Sequence, residues 1–468
     1  MPSDADRSRV LGLTNIRAFL AFRVLFNARY YYPIFTLLFL DYGLSMEQFM
    51  MLNVAWGISI VLLEVPSGAL ADTVGRRRLL IAASVLMVVE MCIIAFAPTG
   101  NPTLLFYLFL FNRVLSGAAE AAASGADEAL AYDTLAREKL TDCWGRVLEV
   151  QMRLSSFGFL FAMGLGALVF DQTLLNRAAG WTGLDWNLTR QTTMRFPIYL
   201  TLVNAVLCLL VTLRLREVET TDGHASGAVP VENPEAGTWT ATVQALRKTL
   251  EAGDWILKTP FALVVIAAGF LFDSVVRTYI TTNSQYYAVI GLPEWSYGFL
   301  GGLMAVLGLF MPTVARWMAE HRTPTFNFGV MAAVCLLGLT GIAQAWPYWG
   351  LLPVMVLYIP FAVLPFFISH YLNRITASHQ RATVLSFKGL SFNLAYALAS
   401  WLFAILLNAL APVVQEDADG TLSGRALENA KYVEALGWLP GWFVATTMVY
   451  LLFAARQLRG REEHRKTG

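Results

Sequence analysis

The 468-residue chain is 56% hydrophobic and 14% charged, with a mean hydropathy of +0.54. Soluble globular chains carry roughly 45–50% apolar and about 25% charged residues, so a soluble enzyme, a fibrous protein and a disordered protein are all excluded. Lysine and arginine number 34 against 33 acids, a balance that implies no nucleic-acid partner.

Met1–Thr14 is short and polar and lacks a cleavable-signal pattern, so the first apolar span is expected to be retained. Twelve apolar windows run through the chain, at roughly 16–40, 47–71, 78–97, 103–131, 147–170, 195–214, 260–288, 295–319, 325–346, 349–374, 382–410 and 437–456. About 20 residues cross the roughly 30 Å of bilayer hydrocarbon. Continuous apolar runs, rather than alternation at period two, predict helices and not barrel strands. The even-numbered connections hold most of the loop lysines and arginines, among them Arg76, Arg146, Lys248, Lys258, Arg322 and Arg381. That bias predicts both termini in the cytoplasm. Cys92, Cys143, Cys208 and Cys335 show neither disulfide nor metal-ligand spacing, so no metal site is expected.

Ionisable groups inside such spans cost at least about 2.5–3.5 kcal/mol each on insertion scales, and they persist where they are paired or line a water-filled route. The first span carries Arg23, Asn27, Arg29 and Tyr31. Between the second and third spans stands Gly68-Ala-Leu-Ala-Asp72-Thr-Val-Gly75-Arg76-Arg77-Arg78. Gly68 is expected to let helices approach closely, and Gly75 to turn a very short loop. Asp72 is expected to pair with the following arginines or to sit at a neighbouring helix N-terminus. In the fourth span Arg113, Glu120 and Asp127 stand seven residues apart, which predicts a single stripe on one helix face. A carboxyl at Glu120, deep in a dry cavity, is suited to load and release a proton, and Asp127 could relay it. Asp133, nearer the inner end, is expected to lock the loop by pairing with Arg76 or Arg77. Glu64, Glu90 and His370 are lesser candidates.

The polar interruption at 216–258 divides the spans six and six. Thr220–Gly237 reads as a flexible linker. Thr240–Lys258 places Val243, Leu246 and Leu250 at helical spacing beside Arg247 and Lys248, the pattern of an interfacial amphipathic helix. The seventh span carries Asp273 and Arg277 as an i,i+4 pair, and the eleventh carries Lys388 and Asn393. Sliding the first span onto the seventh at an offset of 248 matches Phe22 with Phe270, Arg29 with Arg277, Tyr31 with Tyr279, Gly43 with Gly291, Leu44 with Leu292 and Leu52 with Leu300. A parallel duplication explains those matches. Guanidinium groups at Arg29 and Arg277 offer bidentate hydrogen bonds to a carboxylate or phosphate. The competing reading is that Asp273 neutralises Arg277 and simply holds helices together.

The Gly68–Arg77 stretch resembles the cytoplasmic loop signature of the major facilitator superfamily, Gly-x-Leu-x-Asp-x-x-Gly-Arg-Lys/Arg. Arg113-Val-Leu-Ser-Gly117 resembles that family's Arg-x-x-x-Gly element, and the stretch from Arg381 to Ser386 is similar to its loop before the eleventh span. The resemblance implies an all-α membrane protein of twelve transmembrane helices in two pseudo-symmetric six-helix bundles, 1–215 and 259–468, with 216–258 as a cytoplasmic linker. Between the bundles a central cavity is expected to open alternately to each side. The fifth span, with Gly158, Gly164 and Gly166, lacks the Gly-Pro pair of many proton-coupled exporters, so the direction of transport stays open. Arginines on the first and seventh helices are similar to the phosphate-binding pair of the family's organophosphate–phosphate antiporters.

The implied activity is secondary active transport of a small organic solute, anionic or zwitterionic, coupled to protons. Its expected solute-facing residues are Arg23, Asn27, Arg29, Tyr31, Asp273, Arg277, Lys388 and Asn393. Arg113, Glu120 and Asp127 would serve coupling, and Gly68, Asp72, Gly75, Arg76, Arg77 and Asp133 would serve gating. Efflux of a drug or metabolite, or a receptor that has lost transport, are the alternatives. A membrane enzyme is disfavoured because no nucleophile–base cluster stands out. The chain contains no phosphate-binding loop, so the proton gradient and not ATP is the expected energy source, with no cofactor. A monomer contacting lipid, in the bacterial inner (plasma) membrane, is expected.

Overall fold

In a computed structural model the described residues are 9–183, 187–218, 238–376 and 381–466. They are helical, with no strand among them. Among the described residues, ten helices are long and apolar enough to cross a membrane. The expected eighth span is the helix Tyr297–His321, and the expected first span is helical in two pieces, so twelve helical segments stand where twelve spans were expected. The linker expected at Thr220–Gly237 lies outside the described residues.

The helices are α1 (Thr14–Asn27), α2 (Phe35–Asp41), α3 (Met46–Val74), α4 (Arg76–Ala95), α5 (Pro102–Ala123), α6 (Ala126–Arg137), α7 (Trp144–Phe170), α8 (Gln172–Trp181), α9 (Arg190–Thr193) and α10 (Phe196–Leu213). After them come α11 (Thr238–Lys258), α12 (Pro260–Val289), α13 (Tyr297–His321), α14 (Pro324–Ile342), α15 (Leu351–Ile375), α16 (Arg381–Asp417) and α17 (Gly424–Lys466).

The chain divides into two compact units, 1–34 with 55–248 and 294–299, and 35–54 with 249–293 and 300–468. They are largely the two expected halves, except that each takes a short segment from the other half of the sequence. In the first unit α4 packs against α5 and α10, and α1 packs against α7 and α10. In the second, α12 packs against α2, α15, α16 and α17. That central position makes α12 the most buried of the ten candidate spans.

The duplication is visible in the backbone. Gly43 and Gly291 both adopt positive φ, +100° and +78°. Each closes a helix with the same pattern, in which Leu44 N–H donates to Phe39 O and Leu292 N–H donates to Tyr287 O. This is the six-to-one bond of a left-handed helix stop, where glycine escapes the Cβ clash. The expected glycine–leucine match is therefore a repeated helix terminus.

Two expected continuous spans are interrupted. The first breaks between Asn27 and Phe35, with a 3₁₀ turn at Tyr32–Ile34. Pro33 supplies no N–H and disfavours helix at the residue before it. Side chains of α10 satisfy the freed backbone: Asn204 Nδ2 donates to Ala28 O (3.0 Å), and Tyr30 N–H donates to Thr201 Oγ1 (3.1 Å). Gly166 of α7 lies against the same break, where a Cβ would stand 1.7 Å from Tyr30 O. The fourth span breaks at Ser124 and Gly125, the latter at φ +75°.

Candidate functional site

The loop motif opens α4 at Arg76, after Gly75 at φ +105°. Arg76 and Asp133 form a buried ion pair, joining the loop to the C-terminal half of α6. The backbone N–H groups of Arg76 and Arg77 donate to the two carboxylate oxygens of Glu217 (3.1 and 3.0 Å). A carboxylate there satisfies orphan donors and complements the positive end of the helix. A Cβ on Gly75 would stand 2.9 Å from Glu217 Oε2, so glycine serves both the turn and this contact. Sequence reasoning missed Glu217, whose only signal was an acid placed just past the sixth span. The side chain of Asp72 lies outside the described residues.

The close approach expected of Gly68 is absent, since nothing stands within 4 Å of where its Cβ would be. Gly117 provides it instead, where a Cβ would meet Ser59 Cβ at 2.6 Å and Trp56 O at 3.0 Å. Ser67 Oγ donates to Ala121 O (2.7 Å) further along the same contact between α3 and α5.

Arg29 is buried in an ion pair with Glu90 of α4, and its Nε donates to Phe26 O (3.3 Å). Asn112 Nδ2 donates to Glu90 O (2.7 Å), fixing α5 against the same turn of α4. Arg29 is 3% exposed, so its charge is already met within the protein. Of the neighbouring tyrosines, the expected Tyr31 is buried, whereas Tyr32 is 40% exposed.

Arg23 pairs with Asp127 (3.2 Å) and Glu128 (2.5 Å), tying α1 to the first turn of α6. Asn27 donates to the Arg23 carbonyl, so the expected Arg23–Asn27 polar face is used within and beside its own helix. The stripe expected through Arg113, Glu120 and Asp127 is broken. The interruption at Ser124 and Gly125 puts Glu120 on α5 and Asp127 on α6, where Arg23 is its partner. Arg113 lies over the Trp56 ring, 5.6 Å from its centroid. Glu120 is exposed, and its carboxylate makes no hydrogen bond or ion pair with a described residue. It lies within electrostatic range of Arg29, Glu90, Arg23 and Glu64.

In the second unit Arg277 bridges α12 and α16. It pairs with Asp273 (2.7 Å), donates to Asn393 Oδ1 (3.1 Å) and lies over the Tyr396 ring. Lys388, five residues before Asn393, sits over the Phe392 ring and within electrostatic range of Asp273. The four residues expected in this half therefore form one cluster of alternating charge. Sequence reasoning missed Tyr396, whose hydroxyl lies 2.9 Å from Thr281 Oγ1. No group of three metal-binding side chains occurs among the described residues.

The chain resembles solved structures of transporters and of a transporter homolog. A bacterial homolog to the human lysosomal transporter Spinster, inward-facing and unoccupied, aligns with a TM-score of 0.66 at 14% identity, over 98% of this chain and 99% of that one. The nucleoside transporter NupG aligns with a TM-score of 0.66 at 13% identity, over 95% and 98%. A D-xylose–proton symporter aligns with a TM-score of 0.59 at 16% identity, over 91% and 96%. At these identities the likeness is one of fold. No curated protein matches the sequence. The family model described as Major Facilitator Superfamily matches residues 18–400. The chain is an integral, multi-pass membrane protein that belongs to the Major Facilitator Superfamily.

Proposed function

We propose that the protein is a proton-coupled secondary transporter that moves a small acidic or zwitterionic solute by alternating access. The observation that carries the coupling is Glu120, an exposed carboxylate without a bonded partner among the described residues, inside a membrane-spanning segment. Retaining a carboxyl there is costly unless water reaches it and its proton is used. Neighbouring carboxylates at Glu90 and Glu64 and guanidinium groups at Arg29 and Arg23 set the field in which that proton moves. The solute is met by Arg277 and Lys388, two cations held by one carboxylate, Asp273, with Asn393 beside them. That excess of cation over carboxylate favours a solute bearing a carboxylate or phosphate. Arg29, neutralised by Glu90, contributes to the framework of this state.

In this reading both termini are cytoplasmic, the energy source is the proton gradient, no cofactor is used, and the protein works as a monomer in the bacterial inner membrane. The likeness in fold to a D-xylose–proton symporter and a nucleoside transporter supports a solute-moving role.

The test is transport in proteoliposomes. Glu120→Gln is expected to abolish uphill accumulation under an imposed proton gradient while leaving counterflow exchange intact. Uphill transport by the variant at the wild-type rate would remove Glu120 from coupling. Arg277→Ala is expected to weaken acidic solutes selectively in a binding screen, and equal loss for neutral and basic solutes would overturn the acidic class.

A further inference from the structure

We propose that α11 is a membrane-surface helix docked sideways on the eleventh span, with a lipid leaflet as the occupant of its exposed apolar face. At about 100° per residue, Trp239, Val243, Leu246, Leu250 and Leu257 fall within about 60° of one another, and all five are exposed. To one side of that stripe lie Gly253 and Ile256, both buried. To the other side lie Arg247, Glu251, Asp254 and Lys258, all exposed. The helix therefore has three sectors, one against protein, one apolar and uncovered, one charged. A helix lying in a bilayer surface beside a spanning helix needs that division, because its sides meet protein, hydrocarbon and water in turn.

Two contacts fix its level. Gly253 packs against Phe387, where a Cβ would stand 2.7 Å from the ring, and Phe387 lies within the first two turns of α16. Only Thr259 separates Lys258 from Pro260, the first residue of the candidate span α12. Both anchors stand near the N-terminal ends of membrane-crossing helices, so the exposed Leu257 between them and Leu250 just before Gly253 are presented at the depth of the headgroup–acyl border. Two acids and two bases balance on the charged sector, so apolar insertion is the main attraction and anionic lipid is secondary. Phe387 adjoins Lys388, so the docked helix also sets the position of that cation.

Spin labels on the full-length protein in phosphatidylethanolamine–phosphatidylglycerol vesicles test this. Leu250→Cys and Leu246→Cys labels are expected to be reached by oxygen and shielded from a water-soluble nickel chelate, with the reverse for Glu251→Cys. Equal nickel access at positions 250 and 251 would overturn the proposal in favour of a helix in water. Shielding of position 250 from both reagents would overturn it in favour of a protein partner. Gly253→Leu is expected to raise the mobility of a label at Thr249→Cys while position 250 stays in lipid. Unchanged mobility there would overturn the docking on Phe387. These readouts do not depend on transport, so they stand or fall separately from the proposed activity.

Discussion

Glycine contacts show how little room single positions have. At Gly166 a methyl group would stand 1.7 Å from the Tyr30 carbonyl oxygen, whereas at Gly68 it would meet nothing within 4 Å. Gly166→Ala is therefore expected to lower stability by about 1–3 kcal/mol, and Gly68→Ala to change it by less than about 0.5 kcal/mol. Thermal unfolding of the purified variants measures both. The sequence singles out Gly68 because it stands in a motif, but the contacting helix is set by tertiary packing that no local window contains. The Arg29–Glu90 pair is a second case at this scale. Glu90→Gln leaves a buried guanidinium without its anion and is expected to cost about 3–5 kcal/mol. Replacing both partners, as Arg29→Met with Glu90→Leu, is expected to recover much of that loss. A double-mutant cycle on unfolding free energy checks it, and additive losses would show that the two charges are not coupled.

Among elements, the broken first span is the clearest departure from expectation. Hydropathy reports composition, and residues 16–40 are apolar enough to read as one helix. The break is met by hydrogen bonds with Asn204, which donates, and Thr201, which accepts, about 170 residues away in sequence. Pro33 was the local signal. Its counterpart α12 runs unbroken from Pro260 to Val289, so the duplicated arginines differ in setting: Arg277 lies within a helix and Arg29 in the interruption. Asn204→Leu together with Thr201→Val should cost about 1–3 kcal/mol for each backbone group left unmet. Faster amide exchange at Ala28–Tyr31 would accompany it. No change in exchange there would mean that other groups hold the break open. The cluster around Asp273 and Arg277 was more legible, because i,i+4 spacing survives in an intact helix.

At the level of the whole molecule, the six-plus-six layout was readable from hydropathy and the linker, but the membership of the two units was not. Residues 294–299 join the first unit and 35–54 join the second, and at the offset of 248 the former correspond to 46–51, inside the latter. In the second unit Thr36 N–H donates to Ser284 Oγ (3.0 Å), so a residue bonds its own duplicate. Ion pairs secure both segments. Lys431 lies between Glu47 (2.6 Å) and Glu428 (2.7 Å), Arg425 pairs with Asp41, and Arg190 holds Glu294 with two hydrogen bonds. Lys431→Met leaves two carboxylates facing each other. It is expected to destabilise more alone than in combination with Glu47→Gln, a difference read from unfolding midpoints. Equal midpoints would show that the lysine does not offset that repulsion.

The reciprocal membership of 35–54 and 294–299 bears on how the polypeptide can be divided. Severed within 219–237 and produced as two polypeptides, neither fragment owns every strand of packing that its unit requires. Each fragment made by itself should be cleared by cellular proteases, while the pair made together should recover a protease-resistant complex. Reassembly of the severed protein would thus report the exchange of those two short stretches, without any solute being known.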